Sequence, residues 1–203
     1  MMRIERARAT RRNRKAVLRL VKEASDWLRT KDTDQWAVPW PDRKGRDARV
    51  RRDLEEGKIW IVWDGKCPAA TVTIAEEAND AVWSGCECDL TEPAVYVHRL
   101  ITSRRYAGYG LGAELIDWTG LRGRDLKGAK WIRIDVWTNN TKLHHYYKMS
   151  QFEPCGYCTD PAYPSGALFQ KPVSEIGELA IPQVAGISAD FTMARRHDVA
   201  ALA

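Results

Sequence analysis

The sequence predicts a single mixed α/β domain over residues 1–171, with a mostly antiparallel sheet flanked by helices, and an extension over residues 172–203. Three observations predict this arrangement. A chain of 203 residues, of which 44% are hydrophobic, can bury one core of ordinary size. About four β-type runs come before a glycine-rich turn, and one clear strand–helix unit follows it. Beyond residue 171 the sequence shows no repeat and no core pattern.

The first half of the chain predicts a strand over residues 2–8, a helix over residues 12–29 and a charged helix over residues 46–56. The first helix is indicated by apolar residues at helical spacing, namely Val17, Leu20, Val21, Ala24 and Leu28. Between the helices lies a long loop rich in tryptophan, proline and aspartate, and loops of this length are often functional.

A β-hairpin is predicted over residues 58–75, because two β-rich runs flank an Asp-Gly pair at residues 64–65 that favours tight turns. An acidic loop over residues 76–93 follows, and "AVYVHRLIT" then predicts a further strand. The alternation of that strand slips by one residue between Val97 and Leu100, as a β-bulge would cause.

The second half predicts a long amphipathic helix over about residues 110–126, a strand at "WIRIDVW" and a helix at "NNTKLHHYYKMS". Two short strands, near residues 152–158 and 166–170, complete the domain.

The net charge of +5 is concentrated near the start, where nine of the first 22 residues are arginine or lysine. This clustering is typical of a nucleic-acid footprint, but a solvated helix face is the simpler explanation, so nucleic acid is an unlikely partner. No signal peptide is recognisable, and no apolar run approaches the ~20 residues of a membrane-spanning helix. The sequence therefore predicts a cytoplasmic monomer or homodimer with no membrane partner and with reduced cysteines.

Three glycines, Gly108, Gly110 and Gly112, alternate where the bulged strand gives way to the long helix. A glycine turn that enters a helix presents backbone N–H groups and the positive end of the helix dipole, an arrangement that binds phosphate. A tight turn that merely needs positive φ is the alternative. The context argues against a dinucleotide fold, which would place this turn after its first strand. A P-loop is excluded because no Lys-Ser/Thr pair follows the glycines.

Two segments carry a resemblance to a known family. "AGYGLG", Ala107 to Gly112, resembles the R/Q-x-x-G-x-G/A turn of the GNAT family of N-acetyltransferases, except that Ala107 stands where that family usually has Arg or Gln. "NTKLHHYYKMSQF", Asn140 to Phe152, resembles the N-x-x-A-x-x-x-Y-x-x-x-G-F of the same family, with Leu143 for the alanine and Gln151 for the glycine. The element order over about residues 3–170 also matches.

The resemblance implies the GNAT fold, with a twisted sheet, a bulged fourth strand and a strand–turn–helix that binds coenzyme A. It implies acetyl-CoA as cofactor, with its pyrophosphate on the N–H groups of residues 108–113 and its pantetheine arm on the backbone of Leu100 and Thr102. The cofactor-binding residues expected on this basis are Leu100, Ile101, Thr102, Arg104, Arg105, Ala107, Gly108, Tyr109, Gly110, Leu111, Gly112, Ala113, Asn140 and Tyr147.

The resemblance also implies that an amine attacks the acetyl thioester directly, so that the protein accepts one proton and donates another. Tyr147 matches the usual general acid, with Tyr146 as the alternative and a purely packed tyrosine as the structural explanation. The expected base is His98, which has a suitable pKa range, or a carboxylate of the preceding loop, namely Glu92 with Glu87 and Asp89 as alternatives. A strand histidine with a structural role remains an alternative, and His144 and His145 are weaker candidates.

The acceptor is expected to be a small-molecule primary amine, such as an antibiotic, an amino acid or an aminoacyl conjugate, rather than a protein. Its expected contacts lie in the loop between the first two helices and combine carboxylates with aromatic rings, which suits a cationic amine: Asp32, Asp34, Trp36 and Trp40. The tryptophans would equally serve to pin the loop to the core. A non-catalytic acyl-CoA sensor and a nucleic-acid-binding module are the alternative functions.

The cysteines offer one further possibility. The pairs Cys86-x-Cys88 and Cys155-x-x-Cys158 would form a four-thiolate zinc site if their loops met, but neither pair has a partner at zinc-finger spacing. No metal site is therefore predicted.

Overall fold

The computed structural model describes residues 2–177 and 189–191, and it confirms a mixed α/β fold. The strands are β1 Met2–Arg6, β2 Ile59–Asp64, β3 Cys67–Ala75, β4 Ala94–Thr102, β5 Trp131–Val136, β6 Glu153–Tyr157, β7 Ala167–Pro172 and β8 Ala189–Phe191. The helices are α1 Arg11–Leu28, α2 Arg43–Glu55, α3 Asp80–Trp83, α4 Leu111–Lys127 and α5 Thr141–Met149, with short 3₁₀ turns at Arg104–Tyr106 and Val173–Glu175.

The chain forms two compact units. Among the described residues, the first unit comprises residues 2–73, 99–114 and 189–191, and the second comprises residues 74–98 and 115–177. In hydrogen-bonded order the strands run β6-β7-β5-β4-β3-β2-β1-β8, and β4 contributes residues to both units.

In the first unit, β1, β2 and β3 form an antiparallel meander, and β8 pairs with the free edge of β1. Thr10 caps the start of α1, with its side chain accepting the N–H of Asn13, and Asp42 caps the start of α2, with its side chain accepting the N–H of Gly45. The Asp42 cap explains why α2 starts three residues before the predicted position. The core is formed by residues of α1, α2 and β2, with Ala7 after β1 and one residue of β4: Ala7, Ala16, Val17, Leu20, Val21, Val50, Leu54, Ile59, Ile61, Trp63 and Ile101.

In the second unit, the start of β4 runs parallel to β5, β5 pairs antiparallel with β7, and β7 with β6. Its core cluster contains Val82, Trp83, Tyr96, Cys155 and Leu168. Two of these residues belong to the acidic loop, which is therefore not all loop: Asn79 caps the short helix α3, and that helix buries Trp83 against Tyr96 with ring centroids 5.1 Å apart. This helix was not predicted, because four residues are too few to show a helical period.

The predicted bulge in β4 is confirmed, and it falls at Arg99, which has a φ of 47°. The parallel ladder between β4 and β5 ends at Val97 and Ile134, although each strand continues beyond that pair. The predicted extension over residues 172–203 lies largely outside the described residues, so its separateness stays a prediction. Within residues 2–177 and 189–191, no helix has the length and apolar character needed to cross a membrane.

Candidate active site

The glycine turn, residues 103–113, belongs to the first unit and joins β4 to α4. Gly108 and Gly110 have φ values of 79° and 75°, and a Cβ added at either would meet no heavy atom within 4 Å. The N–H of Glu114 donates to the carbonyl of Gly110 at 3.0 Å, so the N–H groups of Leu111, Gly112 and Ala113 precede the first helical bond. The turn thus combines open space, early helix N–H groups and the positive helix end, the combination that binds an anion.

Side chains of the first unit hold this turn in place. Glu23 of α1 accepts hydrogen bonds from the hydroxyl of Ser103 at 2.9 Å and from the N–H of Arg104 at 2.6 Å. The guanidinium of Arg104 lies 4.0 Å from the ring centroid of Trp27, one helical turn along α1. The turn is therefore built on α1 rather than on its own residues alone.

A second anchor is the phenol of Tyr106, which donates to Asp64 at 2.7 Å at the hairpin end. Burial, followed by the hydrogen bond to Asp64, raises the pKa of Tyr106 to about 12. The guanidinium of Arg105 lies 5.5 Å from the ring centroid of Tyr106, so the two arginines expected to bind the cofactor both contact aromatic rings. The sequence did not single out these anchors, since their partners are more than 40 residues away along the chain.

The bulge residue Arg99 carries a buried ion pair. Its guanidinium donates to Asp53 of α2 at 3.0 Å and to the hydroxyl of Thr73 at 3.1 Å. The side chains of Arg99 and Asp53 are only 15% and 13% exposed, so the pair is shielded from solvent screening. This pair fixes α2 against the bulged part of β4.

The acceptor loop, residues 29–42, contains the four residues expected to contact the amine. Asp32 and Asp34 are exposed, whereas Trp36 packs against the core of the first unit. Trp40 lies under the guanidinium of Arg49, 4.8 Å from its ring centroid. Each tryptophan thus has a structural contact, although Trp40 is 39% exposed and faces solvent together with the two carboxylates.

A side-chain array held by an ion pair and a hydrogen bond lies in the second unit where the β4–β5 ladder ends. His98 and Asp135 directly follow the last paired residues of their strands, and Nδ1 of His98 lies 2.6 Å from Oδ1 of Asp135. The hydroxyl of Tyr163 donates to Oδ2 of the same carboxylate at 2.7 Å. We call His98, Asp135 and Tyr163 the imidazole array; sequence reasoning found only the first of the three.

The electrostatics of the array keep the carboxylate ionised. Burial raises the pKa of Asp135, but the charge and hydrogen bond of His98, with the bond from Tyr163, hold that pKa below its ordinary value. The Asp135 side chain is 7% exposed and that of His98 is 29% exposed, so the carboxylate is sequestered while the imidazole reaches solvent. A histidine bonded through Nδ1 to a carboxylate carries its lone pair on Nε2 when neutral.

Glu92, the carboxylate chosen as an alternative base, lies six residues before His98, roughly 20 Å away along an extended segment. Its two oxygens accept hydrogen bonds from the indole of Trp131 at 2.7 Å and the ammonium of Lys130 at 3.1 Å. These two bonds, with that of Trp131 the stronger influence, lower the pKa of Glu92.

Tyr147 lies on α5 and is 5% exposed. Its ring contacts Tyr146, Phe152 and Phe169, with centroid distances of 5.3, 5.4 and 6.4 Å. Burial raises the pKa of the Tyr147 phenol, because the charged phenolate is disfavoured in apolar surroundings.

Asn140 caps α5, with its side-chain oxygen accepting the N–H of Leu143 at 3.0 Å. Gln151, two residues beyond the end of α5, has a φ of 68° and occupies the position where the GNAT motif has glycine. The motif positions Asn140 and Gln151 of the second matching segment thus meet two demands of the backbone, a helix N-cap and a left-handed residue after the helix.

A strand that parts from its parallel neighbour and then leads through a glycine turn into a helix is a frame for a phosphate-bearing cofactor. The model of the acetyltransferase (GNAT) family matches residues 21–152, and the chain belongs to this family. A curated relative, the uncharacterized N-acetyltransferase YesJ of Bacillus subtilis (strain 168), is 29% identical over 141 residues, covering 68% of this chain and 74% of that protein.

Solved structures agree on the fold. A GNAT acetyltransferase from Streptococcus agalactiae superposes with a TM-score of 0.63 at 18% identity, over 84% of this chain and 95% of that chain. The PaiA N-acetyltransferase of Thermoplasma acidophilum, solved with coenzyme A, gives 0.62 at 13% identity, over 85% and 99% of the two chains. The protein is an N-acetyltransferase that uses acetyl-CoA, as the sequence predicted.

Proposed function

We propose that the protein transfers an acetyl group from acetyl-CoA to the primary amine of a small molecule, by direct attack while both substrates are bound. The observation that carries this proposal is the imidazole array. Direct attack requires that a cationic amine lose a proton, and His98 is a histidine oriented by a buried carboxylate and partly exposed to solvent.

The glycine turn fits the pyrophosphate of acetyl-CoA. Positive φ and open space at Gly108 and Gly110 leave room for close approach, and the N–H groups of Leu111, Gly112 and Ala113 would donate to the phosphate oxygens. Leu100, Ile101 and Thr102, at the end of β4, would donate and accept along the pantetheine arm. Acetyl-CoA supplies the thioester whose carbonyl carbon the amine attacks.

The proposed base is Nε2 of His98. Asp135 orients the ring through Nδ1 and stabilises the imidazolium that forms when Nε2 takes a proton from the substrate ammonium. Glu92 is less suited, because two hydrogen bonds already hold its oxygens and its pKa is lowered, which weakens it as a proton acceptor.

The proposed acid is the phenol of Tyr147. As the carbon–sulfur bond breaks, its O–H would donate a hydrogen bond to the departing sulfur, and solvent would supply the proton that converts the thiolate to the thiol. Since burial raises the pKa of this phenol, it is fully protonated at neutral pH when the thiolate forms. The same shift increases the difference between the pKa of the phenol and that of a thiol, which is about 8.5. The phenol therefore acts more as a hydrogen-bond donor than as a complete proton donor.

Acceptor recognition is assigned to the acceptor loop. Asp32 and Asp34 would bind the ammonium group, and Trp36 and Trp40 would supply apolar contact beside it. Asp34→Asn should raise the KM for the amine and leave acetyl-CoA affinity unchanged. Asp42→Asn would not be a suitable control, because Asp42 caps α2 and its loss would disturb that helix.

The proposal is tested by measuring thiol release from acetyl-CoA over a panel of small amines, amino acids and lysine peptides. Release that depends on a small amine supports it, and preference for peptides by kcat/KM contradicts the choice of acceptor. Tight acetyl-CoA binding with no amine-dependent release across the panel would identify a sensor instead.

A further inference from the structure

Three cysteine sulfurs lie together in the second unit, separate from the imidazole array. The Sγ atoms of Cys86, Cys88 and Cys155 are all within 4.8 Å of one another. Cys86 and Cys88 are joined by a disulfide, and Cys155 is a free, buried thiol. The expectation that every cysteine is reduced is therefore wrong for the first two. We call these three residues the thiol cluster.

The cluster is assembled by two backbone segments that meet closely. The N–H of Glu87 donates to the carbonyl of Cys155 at 2.7 Å, and Cys86 forms an antiparallel bridge with Gly156. Glycine is required on both sides. A Cβ at Gly85 would lie 2.1 Å from the carbonyl oxygen of Tyr157, and one at Gly156, where φ is 121°, would lie 2.4 Å from a backbone oxygen. The condition set by the sequence, that the two cysteine loops meet, is fulfilled.

Two groups beside the sulfurs favour negative charge. The N–H of Cys88 donates to Sγ of Cys86 at 3.2 Å, a bond that stabilises sulfur as a thiolate. The guanidinium of Arg133 is fully buried and held by the phenol of Tyr96 at 3.0 Å and the carbonyl of Asp89 at 2.7 Å.

Arg133 also acts electrostatically on the third sulfur. Burial raises the pKa of Cys155 to about 11 against the opposing influence of Arg133, so at neutral pH this sulfur is a thiol unless something displaces its proton. A divalent ion with three thiolates has a net charge of −1, which one guanidinium balances.

We propose that the thiol cluster, once reduced, is a three-thiolate site for a soft divalent metal ion, with zinc as the natural occupant. Three protein ligands plus water or an external ligand is a regular zinc arrangement. Cys86 and Cys88 are partly exposed, which gives the ion a route in. Cys158 lies outside the cluster, with its thiol donating to the carbonyl of Ala81 at 3.5 Å, so it is not a ligand in this assignment.

The disulfide is then the oxidised, metal-free form of the same site. Its reduction needs two electrons, which a phosphine reductant supplies as it becomes a phosphine oxide, with water providing the oxygen and the two thiol protons. Metal binding next releases the protons of the three thiols, up to three per ion. The site therefore depends on both redox state and pH.

The experiment uses the full chain, reduced anaerobically with a phosphine and titrated with Cd²⁺, whose thiolate complexes absorb in the ultraviolet. One equivalent should produce sulfur-to-cadmium absorption with proton release, and Zn²⁺ should compete. Cys155→Ser should weaken binding by more than roughly 100-fold, beyond the 10–100-fold cost of losing a supporting group. Cys67→Ser changes an exposed thiol of the first unit and should bind like the wild type.

If Cys155→Ser folds poorly, two further measurements test the proposed metal site. Cys158→Ser should retain one equivalent of tight binding, and protein that keeps its disulfide should bind none. The proposal is overturned if reduced wild-type protein shows no thiolate absorption, if oxidised protein binds equally, or if Cys67→Ser loses the ion as Cys155→Ser does.

Discussion

The glycine turn and the imidazole array use different parts of the chain for their proposed roles. In the turn, the groups that would meet phosphate are backbone N–H groups, and side chains such as Glu23 act from outside by holding the loop. In the array every group is a side chain, and the three come from separate segments. The turn should therefore tolerate many substitutions outside its glycines, whereas the array should fail when a single atom is exchanged.

The largest effect on acetyl-CoA binding is expected from a negative charge in the turn. Gly110→Asp should weaken acetyl-CoA binding by roughly 10²–10³-fold, because placing like charges together costs several kcal/mol. Isothermal calorimetry measures the loss, and circular dichroism shows whether the protein is folded. Gly128→Asp is the matched control, since Gly128 also has positive φ, 66°, and open space around a Cβ. Wild-type affinity for acetyl-CoA in a folded Gly110→Asp protein would show that the glycine turn does not bind the pyrophosphate.

In the array, His98→Gln should lower kcat by roughly 10²–10⁴-fold, the usual contribution of general base catalysis. The wild-type kcat/KM should rise with pH as the imidazole loses its proton, and the variant should lack that limb. Asp135→Asn should cost roughly 10–100-fold, as loss of an orienting group does. Glu92→Gln is the control and should leave the limb in place; if it abolishes the limb instead, the base is the carboxylate.

The same carboxylate links the array to stability. Because the pKa of Asp135 is lower in the folded protein than in the unfolded chain, the ion pair stabilises the fold above the ordinary carboxyl pKa. That stabilisation is lost as pH falls through the folded-state pKa. Thermal unfolding of Asp135→Asn should accordingly depend less on pH in the acid range than that of the wild type.

The two regions also differ in what the sequence reveals. The turn could be predicted because its demands are local: three alternating glycines, a strand before them and a helix after them all lie within one short segment. The array could not, since Asp135 and Tyr163 are 37 and 65 residues beyond His98 and join it only through the parallel register of β4 and β5 and the loop before β7. A strand pattern predicts which face a residue occupies, not its neighbour in the next strand.

The thiol cluster could be predicted from the sequence in part, less fully than the turn but more fully than the array. The two cysteine pairs were visible as candidates, and their meeting depended on Gly85 and Gly156, whose roles become apparent only when the opposing backbone is in place. The Arg99–Asp53 ion pair was likewise predictable only in part. The phase slip in β4 indicated a bulge, but nothing local identified its partner on α2.

Tyr147 lies in an aromatic cluster and not in the imidazole array, so its substitution tests a different kind of environment. Tyr147→Phe should lower kcat by roughly 10²-fold, the low end for general acid catalysis, because burial moves the phenol pKa away from that of the thiol. Acetyl-CoA affinity and folding should persist. The raised pKa also predicts no loss of activity from phenol ionisation at about pH 10, where a free tyrosine titrates. Tyr146→Phe is the control, and equal mild effects of both changes would place the acid elsewhere.

The smallest expected effect is on stability, and it concerns one of two strained backbone positions, one in each unit. Gln151, two residues beyond the end of α5, has a φ of 68° and is exposed, and the N–H of the following Phe152 donates to the carbonyl of Tyr147 at 2.9 Å. A left-handed conformation costs a residue with a Cβ about 1–2 kcal/mol, and glycine avoids that cost but loses more chain entropy on folding.

Gln151→Gly should therefore raise the free energy of unfolding by up to about 1 kcal/mol, or roughly 2–4 °C in Tm for a chain of this size. Arg99→Gly relieves similar strain at a φ of 47° but leaves Asp53 buried without its guanidinium, at a cost of roughly 3–5 kcal/mol, so it should destabilise the protein. Chemical denaturation of both variants provides the measurement. Stabilisation by both would mean that the Arg99 pair contributes little, whereas destabilisation by both would mean that the exposed Gln151 side chain has a role beyond ending its helix.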